Sequence, residues 1–306
     1  MGWYTTAELD KFLTATGGYL RERAADNFTL LSAAQDARKA GTANAEATRG
    51  RADALYGWWA PQDGAEPRGA FLNDSSGRLI IAGRAPEPAA ALAATLARAG
   101  RTGWAVSGVD APAAAADAFA AAWSQRSGMA VKVHRTSQVF RLAGPIHDYA
   151  APAGRARPAT WADRDVLVAW MRAMSNEVGN LGVAPEASAD DLLGYEGAAL
   201  WEAGNAPVAM AIVTRPVAGV VRVTAVYTPP QHRGRGYGMA VLIAVSRAAL
   251  VGRAREVVVL VDRLRPLRRA LRLGFELAGE RSLLSFGPPT GPLPVQRPSG
   301  PMPRIP

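Results

Sequence analysis

The chain has 306 residues, enough for two domains of ordinary size, and its 49% apolar and 20% charged residues are typical of a globular protein. It has no cysteine, which excludes a disulfide scaffold, a cysteine-ligated metal and a cysteine nucleophile, and we predict no metal site. No stretch is long and apolar enough to span a membrane, and the first residues show no secretory signal, so we expect a cytoplasmic protein without a membrane partner.

The positive charge is concentrated in the second half of the chain. The formal net charge is +9, and 32 of the 35 basic residues are arginine because lysine occurs only three times. Residues 215–281 hold thirteen arginines against four acidic residues, an excess equal to that of the whole chain. Such a segment favours an anionic ligand, although arginines that only solvate helix faces would give the same count.

The first half predicts helices and short strands in a definite order. Two amphipathic helices lie within residues 5–41, where apolar residues recur at helical spacing. Alternating apolar runs and turn residues then predict strands, and alanine-rich runs between proline and glycine predict helices. In chain order these are strands at 55–61, 68–74 and 77–83, a helix at 86–100, a strand at 104–110, a helix at 111–128 and a long strand at 130–144.

The second half repeats this order of elements. Thr160 caps the first helix, and Gly204-Asn205 forms the turn of a hairpin. The predicted elements are helices at 160–179 and 187–197, a hairpin at 198–215, a strand at 219–230, a helix at 236–252, a strand at 255–262, a helix at 266–274 and one or two strands at 275–287. The repeated order predicts an internal duplication.

This organisation predicts a fold class and domain boundaries. We expect an α/β (α+β) protein in which each half is a mixed, mostly antiparallel sheet flanked by helices. The first domain covers residues 1–144 and the second covers 159–287. The proline-containing stretch 145–158 is interpreted as a linker, and the proline-rich residues 288–306 as a disordered tail.

Residues 228–240, TPPQHRGRGYGMA, join a predicted strand to a predicted helix. Pro229 and Pro230 cannot donate hydrogen bonds to a sheet and therefore end the strand. Gly234, Gly236 and Gly238 follow, and a glycine-rich turn at a helix N-terminus presents backbone N–H groups and the helix dipole to an anion. A tight turn without a ligand is the alternative interpretation.

Two common phosphate-binding motifs do not fit this stretch. A P-loop needs Gly-Lys-Ser/Thr, and the stretch contains no lysine. The Rossmann fingerprint needs its third glycine where Met239 stands, and an acidic residue at the end of the next strand, whereas Glu256 begins its strand. A different phosphate-binding arrangement is therefore indicated.

The sequence QHRGRG, residues 231–236, resembles the Gln/Arg-x-x-Gly-x-Gly/Ala pyrophosphate loop of the GNAT superfamily of N-acetyltransferases. The preceding strand and following helix look like that family's fourth strand and third helix, and Asp262, Pro266 and LGFE fall where its members carry D…NP…GF. The resemblance covers residues 157–287. The first half resembles the same fold without the loop, so the resemblance implies tandem GNAT-like domains with a degenerate N-terminal copy.

The resemblance implies acetyl-CoA as the cofactor and a role for each part of the loop. Backbone N–H groups of residues 233–239 would bind the pyrophosphate, and residues 225–228 would part from the next strand and pair with the pantetheine arm. The N–H of Val226 would act as an oxyanion donor. The cofactor-binding residues implied are Ala225, Val226, Tyr227, Thr228, Gln231, Arg233, Gly234, Arg235, Gly236, Tyr237, Gly238, Met239, Arg265 and Arg268.

The catalytic acid and base depart from the family pattern. Many GNAT enzymes carry a tyrosine four residues before the glycine of the GF pair, and that position is Ala270 here. Tyr227 is the nearest tyrosine, but the sequence favours packing on its strand over a role as the acid. Glu177, late in the first helix of the second half, is our candidate for the general base. The alternative is a solvated glutamate at a helix end.

Three functional hypotheses follow. The first is an acetyl-CoA-dependent N-acetyltransferase, an acyltransferase that moves an acetyl group to a small-molecule amine acceptor by direct attack. The second is a non-catalytic acyl-CoA-binding protein, since the usual tyrosine is missing. The third, a nucleic-acid binder, is disfavoured because few aromatic residues lie among the arginines, so we expect no nucleic-acid partner. We expect a monomer or a homodimer.

Overall fold

The computed structural model describes residues 1–43, 55–74, 76–99, 106–147, 149–178, 184–252, 254–263 and 271–288. The strands in these ranges are β1 Gly2–Thr6, β2 Tyr56–Ala60, β3 Gly69–Asn73, β4 Arg78–Ala82, β5 Gly108–Pro112, β6 Ala130–Leu142, β7 Arg155–Pro158, β8 Ala198–Ala203, β9 Ala206–Val213, β10 Val220–Tyr227, β11 Glu256–Asp262 and β12 Glu276–Gly287. The helices are α1 Leu9–Glu22, α2 Phe28–Ala43, α3 Pro86–Ala99, α4 Ala113–Ser127, α5 Arg164–Val178, α6 Pro185–Gly194 and α7 Tyr237–Val251.

Most of these elements lie where the sequence predicts them, with shifted ends, but two strands were not predicted. The first is β1, which pairs with β2. The second is β7, which pairs with β8 and lies inside the stretch interpreted as a linker. A four-residue edge strand that ends in proline is too short to show alternation. Most of the helix predicted at 266–274, and residues 289–306 of the predicted tail, lie outside the described residues.

All twelve described strands belong to one sheet. Their order is β1-β2-β3-β4-β5-β12-β6-β11-β10-β9-β8-β7. In the described residues, only the β4–β5 and β10–β11 pairs are parallel, and the other neighbours are antiparallel. The chain is thus a mixed α/β protein with a mostly antiparallel sheet, in agreement with the predicted fold class at this level.

The last strand of each half pairs with the other half. β12 lies between β5 and β6, where Arg281 is opposite both Pro112 and Ser137. β6 lies between β12 and β11, where Phe140 is opposite Val259. The predicted boundary near residue 144 therefore does not separate two sheets, and the division into two tandem domains stays a prediction.

Helices cover both faces of the sheet. α1 and α2 pack on Ile80 and Ala82 of β4, whereas α3 and α4 pack on the alternate residues Leu79 and Ile81. In the second half α5 and α6 pack on Met210, opposite the face that α7 covers. Because successive strand residues point to opposite faces, α1, α2, α5 and α6 share one face and α3, α4 and α7 share the other. No helix in the described ranges is long and apolar enough to cross a membrane.

Polar contacts fix the start of α5, the helix that carries Glu177 at its other end. The Thr160 backbone N–H donates to Asp163 Oδ2 at 2.8 Å, as expected for the predicted cap. Arg157 of β7 donates from Nη1 and Nη2 to the same carboxylate at 2.7 and 2.8 Å. Its Nε also donates to Glu202 of β8 at 2.6 Å, so the helix start is tied to the sheet edge.

Candidate functional site

The candidate site begins with the loop between β10 and α7. After Tyr227 the chain makes a short 3-10 turn over Pro230–His232, as the two prolines predict. Gly234 and Gly236 then adopt left-handed φ angles of 77° and 84°. Side chains with a Cβ rarely adopt such angles, so these two glycines allow the sharp change of direction into α7.

The loop presents a row of backbone donors to one place. Within the part of the chain that the structure describes, no acceptor meets the N–H groups of residues 234–239. The first turns of a helix carry such unpaired donors together with the positive end of the helix dipole. An anion bound here would therefore find both hydrogen bonds and a favourable field.

A cavity of about 340 Å³ lies directly in front of these donors. It is lined by Thr228, His232, Arg233, Gly234, Gly236, Tyr237, Gly238 and Met239. A Cβ on Gly238 would lie 3.0 Å from Thr228 Oγ1 and 3.4 Å from Val226 Cγ1, so glycine lets the helix start approach the strand end. The Tyr149 hydroxyl donates to the Gly236 carbonyl at 3.3 Å and supports the loop from behind.

β10 parts from β11 just before the loop. The two strands are paired from Val220 to Val223, and beyond that point β10 has no partner on this side among the described residues. β11 continues to Asp262 along β6. A gap therefore opens between the carboxyl ends of two parallel strands, and the side chain of Val226 there is 38% exposed.

Beside this gap, a bulge at Thr224 determines which face of the sheet each side chain of β10 points to. The register with β9 shifts between Val223 and Ala225. Val223 packs with α7, whereas Ala225 and Tyr227 pack under α5 and α6. A bulge adds one residue to a strand and so reverses the faces of the residues that follow. The bulge thereby turns Tyr227 toward the end of α5.

Glu177 meets Tyr227 and Arg233 at that point. Arg233 Nη2 lies 2.7 Å from both carboxylate oxygens of Glu177, and the Tyr227 hydroxyl donates to Glu177 Oε1 at 3.3 Å. Arg233 Nε also donates to the carbonyl of Thr228 at 2.9 Å. The structure thus brings the end of α5 to a strand end and its adjoining glycine loop, about 50 residues later in the sequence.

The protonation states in this cluster follow from burial and charge. Burial raises the pKa of Tyr227, and the neighbouring Glu177 carboxylate raises it further. Tyr227 is therefore a neutral phenol near pH 7 and could donate a proton but not accept one. The hydrogen bond to Glu177 raises the pKa of Arg233, which remains a cation. In the described residues, no group of His, Asp and Glu side chains could hold a metal ion.

The other predicted site residues fall into three groups. The side chains of Gln231 and Arg235 are exposed on the loop, close to the cavity in sequence but outside its lining. Asp262 is exposed at the end of β11, on the far side of the gap. Arg265 and Arg268, which the resemblance assigns to cofactor binding, lie outside the described residues.

Solved structures with the same fold were found by comparison of the whole chain. A Drosophila protein has a TM-score of 0.61 and 13% identity over 94% of this chain and 99% of that chain. A GNAT-family acetyltransferase from Colwellia psychrerythraea has a TM-score of 0.55 and 11% identity over 94% and 99%. The chain has the GNAT fold. A GCN5-related N-acetyltransferase from Sphaerobacter thermophilus has a TM-score of 0.52 and 18% identity over 78% of this chain and 84% of that chain.

The likeness extends over both halves, because two of these structures cover 94% of the chain. At 11–18% identity it shows the GNAT fold and leaves the activity to be argued from the site. No protein-family model and no curated protein sequence matches the chain. The resemblance on which the sequence analysis relied is therefore confirmed for the fold.

Sequence reasoning missed one residue that contacts the loop and one unusual cation on the strand that leads to it. Tyr149 supports the loop from the stretch interpreted as a linker, and no local pattern signals that contact. Arg222 lies in the middle of β10, in the sequence VVRVTAVY, and its Nε is buried without a hydrogen-bond partner. A single cation in an otherwise apolar strand was a signal that the sequence analysis did not use.

Proposed function

We propose that the protein is an acetyl-CoA-dependent N-acetyltransferase that moves an acetyl group to an amine acceptor by direct attack. One observation carries this proposal: β10 parts from β11 just before the glycine loop, whose residues 234–239 present six N–H groups that no acceptor in the described residues meets. An acyl-CoA needs both features, since its pyrophosphate requires donors and its extended arm requires a free strand edge. The names of two structures with this fold, an acetyltransferase and an N-acetyltransferase, support the same interpretation.

The residues present fit acetyl-CoA. Gly234 and residues 236–239 line the cavity of about 340 Å³, and their N–H groups suit a pyrophosphate, with positive charge from Arg235 nearby. The backbone of residues 225–228 has a free edge that can hydrogen-bond to the amides of the pantetheine arm. Gly238 has no Cβ, so the start of α7 lies close to Thr228 and Val226, where the arm would bind. When bound, acetyl-CoA supplies the acetyl carbon as the electrophile and its thiolate as the leaving group.

Three groups of this chain have roles in the proposed reaction. The N–H of Val226 would face the acetyl carbonyl oxygen and stabilise the negative charge that develops there. Glu177 would take the proton that the attacking amine loses, once its contact with Arg233 shifts to admit the amine. Tyr227, a neutral phenol, would return a proton to the sulfur, so that the transfer ends with the acceptor amide and a free thiol.

The second candidate is a non-catalytic acyl-CoA-binding protein. It is favoured by the ion pair between Glu177 and Arg233, which engages the candidate base in a structural contact. The missing tyrosine at Ala270 points the same way. Both candidates require the same binding site, and only turnover separates them.

The first experiment is a calorimetric titration with acetyl-CoA. We expect one site per chain, in the second half, because only that half has the glycine loop. Gly236→Glu should abolish binding, since the side chain would be strained at a φ of 84° and its carboxylate would repel the phosphates. Gly128→Glu is the matched control, because Gly128 has a φ of 71° at the end of α4 and open space around it.

Turnover is then measured as thiol release from acetyl-CoA with a broad panel of small amines. Release with at least one amine, lost in Gly236→Glu and kept in Gly128→Glu, supports the acetyltransferase. Binding without release for any amine would favour the non-catalytic candidate. Two equal sites per chain, or full affinity in Gly236→Glu, would refute both.

A further inference from the structure

Arg222 is a partly buried cation whose Nε has no hydrogen-bond partner within the described residues. Its Nε is buried and makes no hydrogen bond, and within the described residues its guanidinium has no ion pair. Burial lowers the pKa of Arg222 to about 10, and Arg135 and Arg281 lower it as well, while Asp110 raises it. It is still charged at pH 7. The buried Nε has lost contact with water and has gained no acceptor in exchange, so an acceptor supplied by a ligand would offset that cost.

The surroundings of Arg222 carry an excess of positive charge. Asp110 and Arg135 are both opposite Leu283 of β12, so they point to the same face of the sheet. Arg281, two residues away on β12, uses its guanidinium on the Asp110 carboxylate and on the Asp110 carbonyl, the latter at 2.8 Å. The single carboxylate of this group is thus already paired.

This group lies at the end of the sheet where the gap opens. Arg222 is level with Val258 of β11 in the register. Arg281 is opposite Ser137, which is also opposite Asp262, the last residue of β11. Arg222 lies one residue before Val223, the last residue of β10 that pairs with β11.

Arg222 also shares a face with the proposed catalytic groups. It lies on the face that Val258 shares with α1 and α2, and the bulge at Thr224 brings Tyr227 to this face as well. Four residues at about 3.3 Å each place Arg222 roughly 13 Å along the strand from Val226. An extended arginine side chain can cover part of that distance, so a short molecule could contact both the Arg222 guanidinium and the Val226 N–H.

We propose that Arg222 selects the acceptor: the amine that is acetylated also carries a carboxylate, which binds the Arg222 guanidinium while the amine faces Val226 and Glu177. A guanidinium offers two parallel donors that match the two oxygens of a carboxylate. The inference rests on the proposed acetyltransferase activity and names its substrate class as an amino acid or a related amino carboxylate.

The test compares matched acceptors. Glycine, β-alanine and 4-aminobutyrate are each set against their carboxamides, and kcat/KM is measured by thiol release for the wild type, Arg222→Gln, Arg222→Lys and Arg126→Gln. Arg126 is the control, since it is exposed on α4 and donates only to the Ala122 carbonyl of its own helix. We expect at least one amino carboxylate to be preferred over its carboxamide by about 10-fold or more.

Arg222→Gln should remove this preference by lowering only the carboxylate rate. Arg222→Lys should retain part of it, because lysine keeps the charge and loses the paired donors. The Tm of Arg222→Gln should equal or exceed that of the wild type, since an unpartnered charge is removed. Equal rates for acids and amides in the wild type would overturn the inference. So would a fall of both rates and of Tm in Arg222→Gln, which would mark a structural role.

If no amine releases thiol, the proposed acetyltransferase fails and the acceptor site is still tested by binding. The CoA-saturated protein is titrated calorimetrically with 4-aminobutyrate and with its carboxamide. Saturable binding of the acid alone, lost in Arg222→Gln, supports a carboxylate site at Arg222. No binding, or binding unchanged in Arg222→Gln, overturns it.

Discussion

Replacing Glu177 with glutamine separates a base from a structural contact. The amide keeps the size of the side chain and an oxygen that can accept from the Tyr227 hydroxyl at 3.3 Å. It removes the negative charge that pairs with Arg233 and the ability to take a proton. The side chains of Arg233 and Glu177 are 47% and 42% exposed, so the pair belongs to the surface class. Such pairs contribute about 0.2–1 kcal/mol to stability.

The two possible roles of Glu177 therefore differ in what the substitution changes. Loss of a surface pair should move Tm by no more than about 2–4 °C. Loss of a positioned general base should lower kcat by about 10²–10⁴-fold. We expect Glu177→Gln to show a small Tm shift, unchanged affinity for acetyl-CoA and a large loss of kcat, measured as thiol release with the best acceptor of the panel.

The pH–rate profile provides the second readout. The rise of rate with pH that reports a base should disappear in Glu177→Gln. Asp191→Asn is the control, because Asp191 forms an exposed ion pair of 3.0 Å with Arg215 away from the gap. An unchanged rate and profile in Glu177→Gln would refute Glu177 as the base, even where Tyr227→Phe loses turnover as expected for the acid.

Two further predictions concern stability. Asp163→Asn should lower the free energy of unfolding in urea by about 1–3 kcal/mol, because it removes the negative charge and one of the two oxygens that accept from Arg157, which keeps its bond to Glu202. Hydrogen bonds from Arg157 hold the pKa of Asp163 well below its usual value. The contribution of Asp163 to stability is therefore complete above pH ~4 and declines as pH falls further. The difference in free energy of unfolding between wild type and variant should shrink below that pH, and a constant difference would contradict the prediction. Arg281→Met should cost about 3 kcal/mol because it leaves the Asp110 carboxylate without its partner, and adding Asp110→Leu should recover part of the loss; additive costs in the double variant would argue against the pair.

The glycine loop and the helices could be predicted because their signals are local. Two prolines that end a strand, glycines at the positions with left-handed φ, and the apolar run of α7 all lie within 30 residues of one another. Local chemistry of this kind determines backbone conformation directly. The hairpin turn at Gly204-Asn205 follows the same logic, with φ of 59° and 63° at the two residues.

The order of strands could not be predicted in the same way. The neighbour of β5 is determined by contacts between residues about 170 apart in the sequence, such as Arg281 and Asp110. The alternation of apolar and polar residues along β12 would be the same beside any other strand, so it does not identify that neighbour. The contact between Glu177 and Arg233 is likewise invisible in the sequence. It depends on the bulge at Thr224, which a run of alternating apolar and polar residues does not reveal.

The last strand of each half pairs with strands of the other half, so the first half contributes to the site although it lacks the glycine loop. β6 forms the outer neighbour of β11, so residues of the first half complete the sheet on which the gap opens. Two of the charges that surround Arg222, Asp110 and Arg135, belong to β5 and β6. A second half without these strands would leave one edge of β11 unpaired and Arg222 in a different field. The acceptor side of the proposed site is thus a product of both halves, whereas the donor side belongs to residues 225–239 alone.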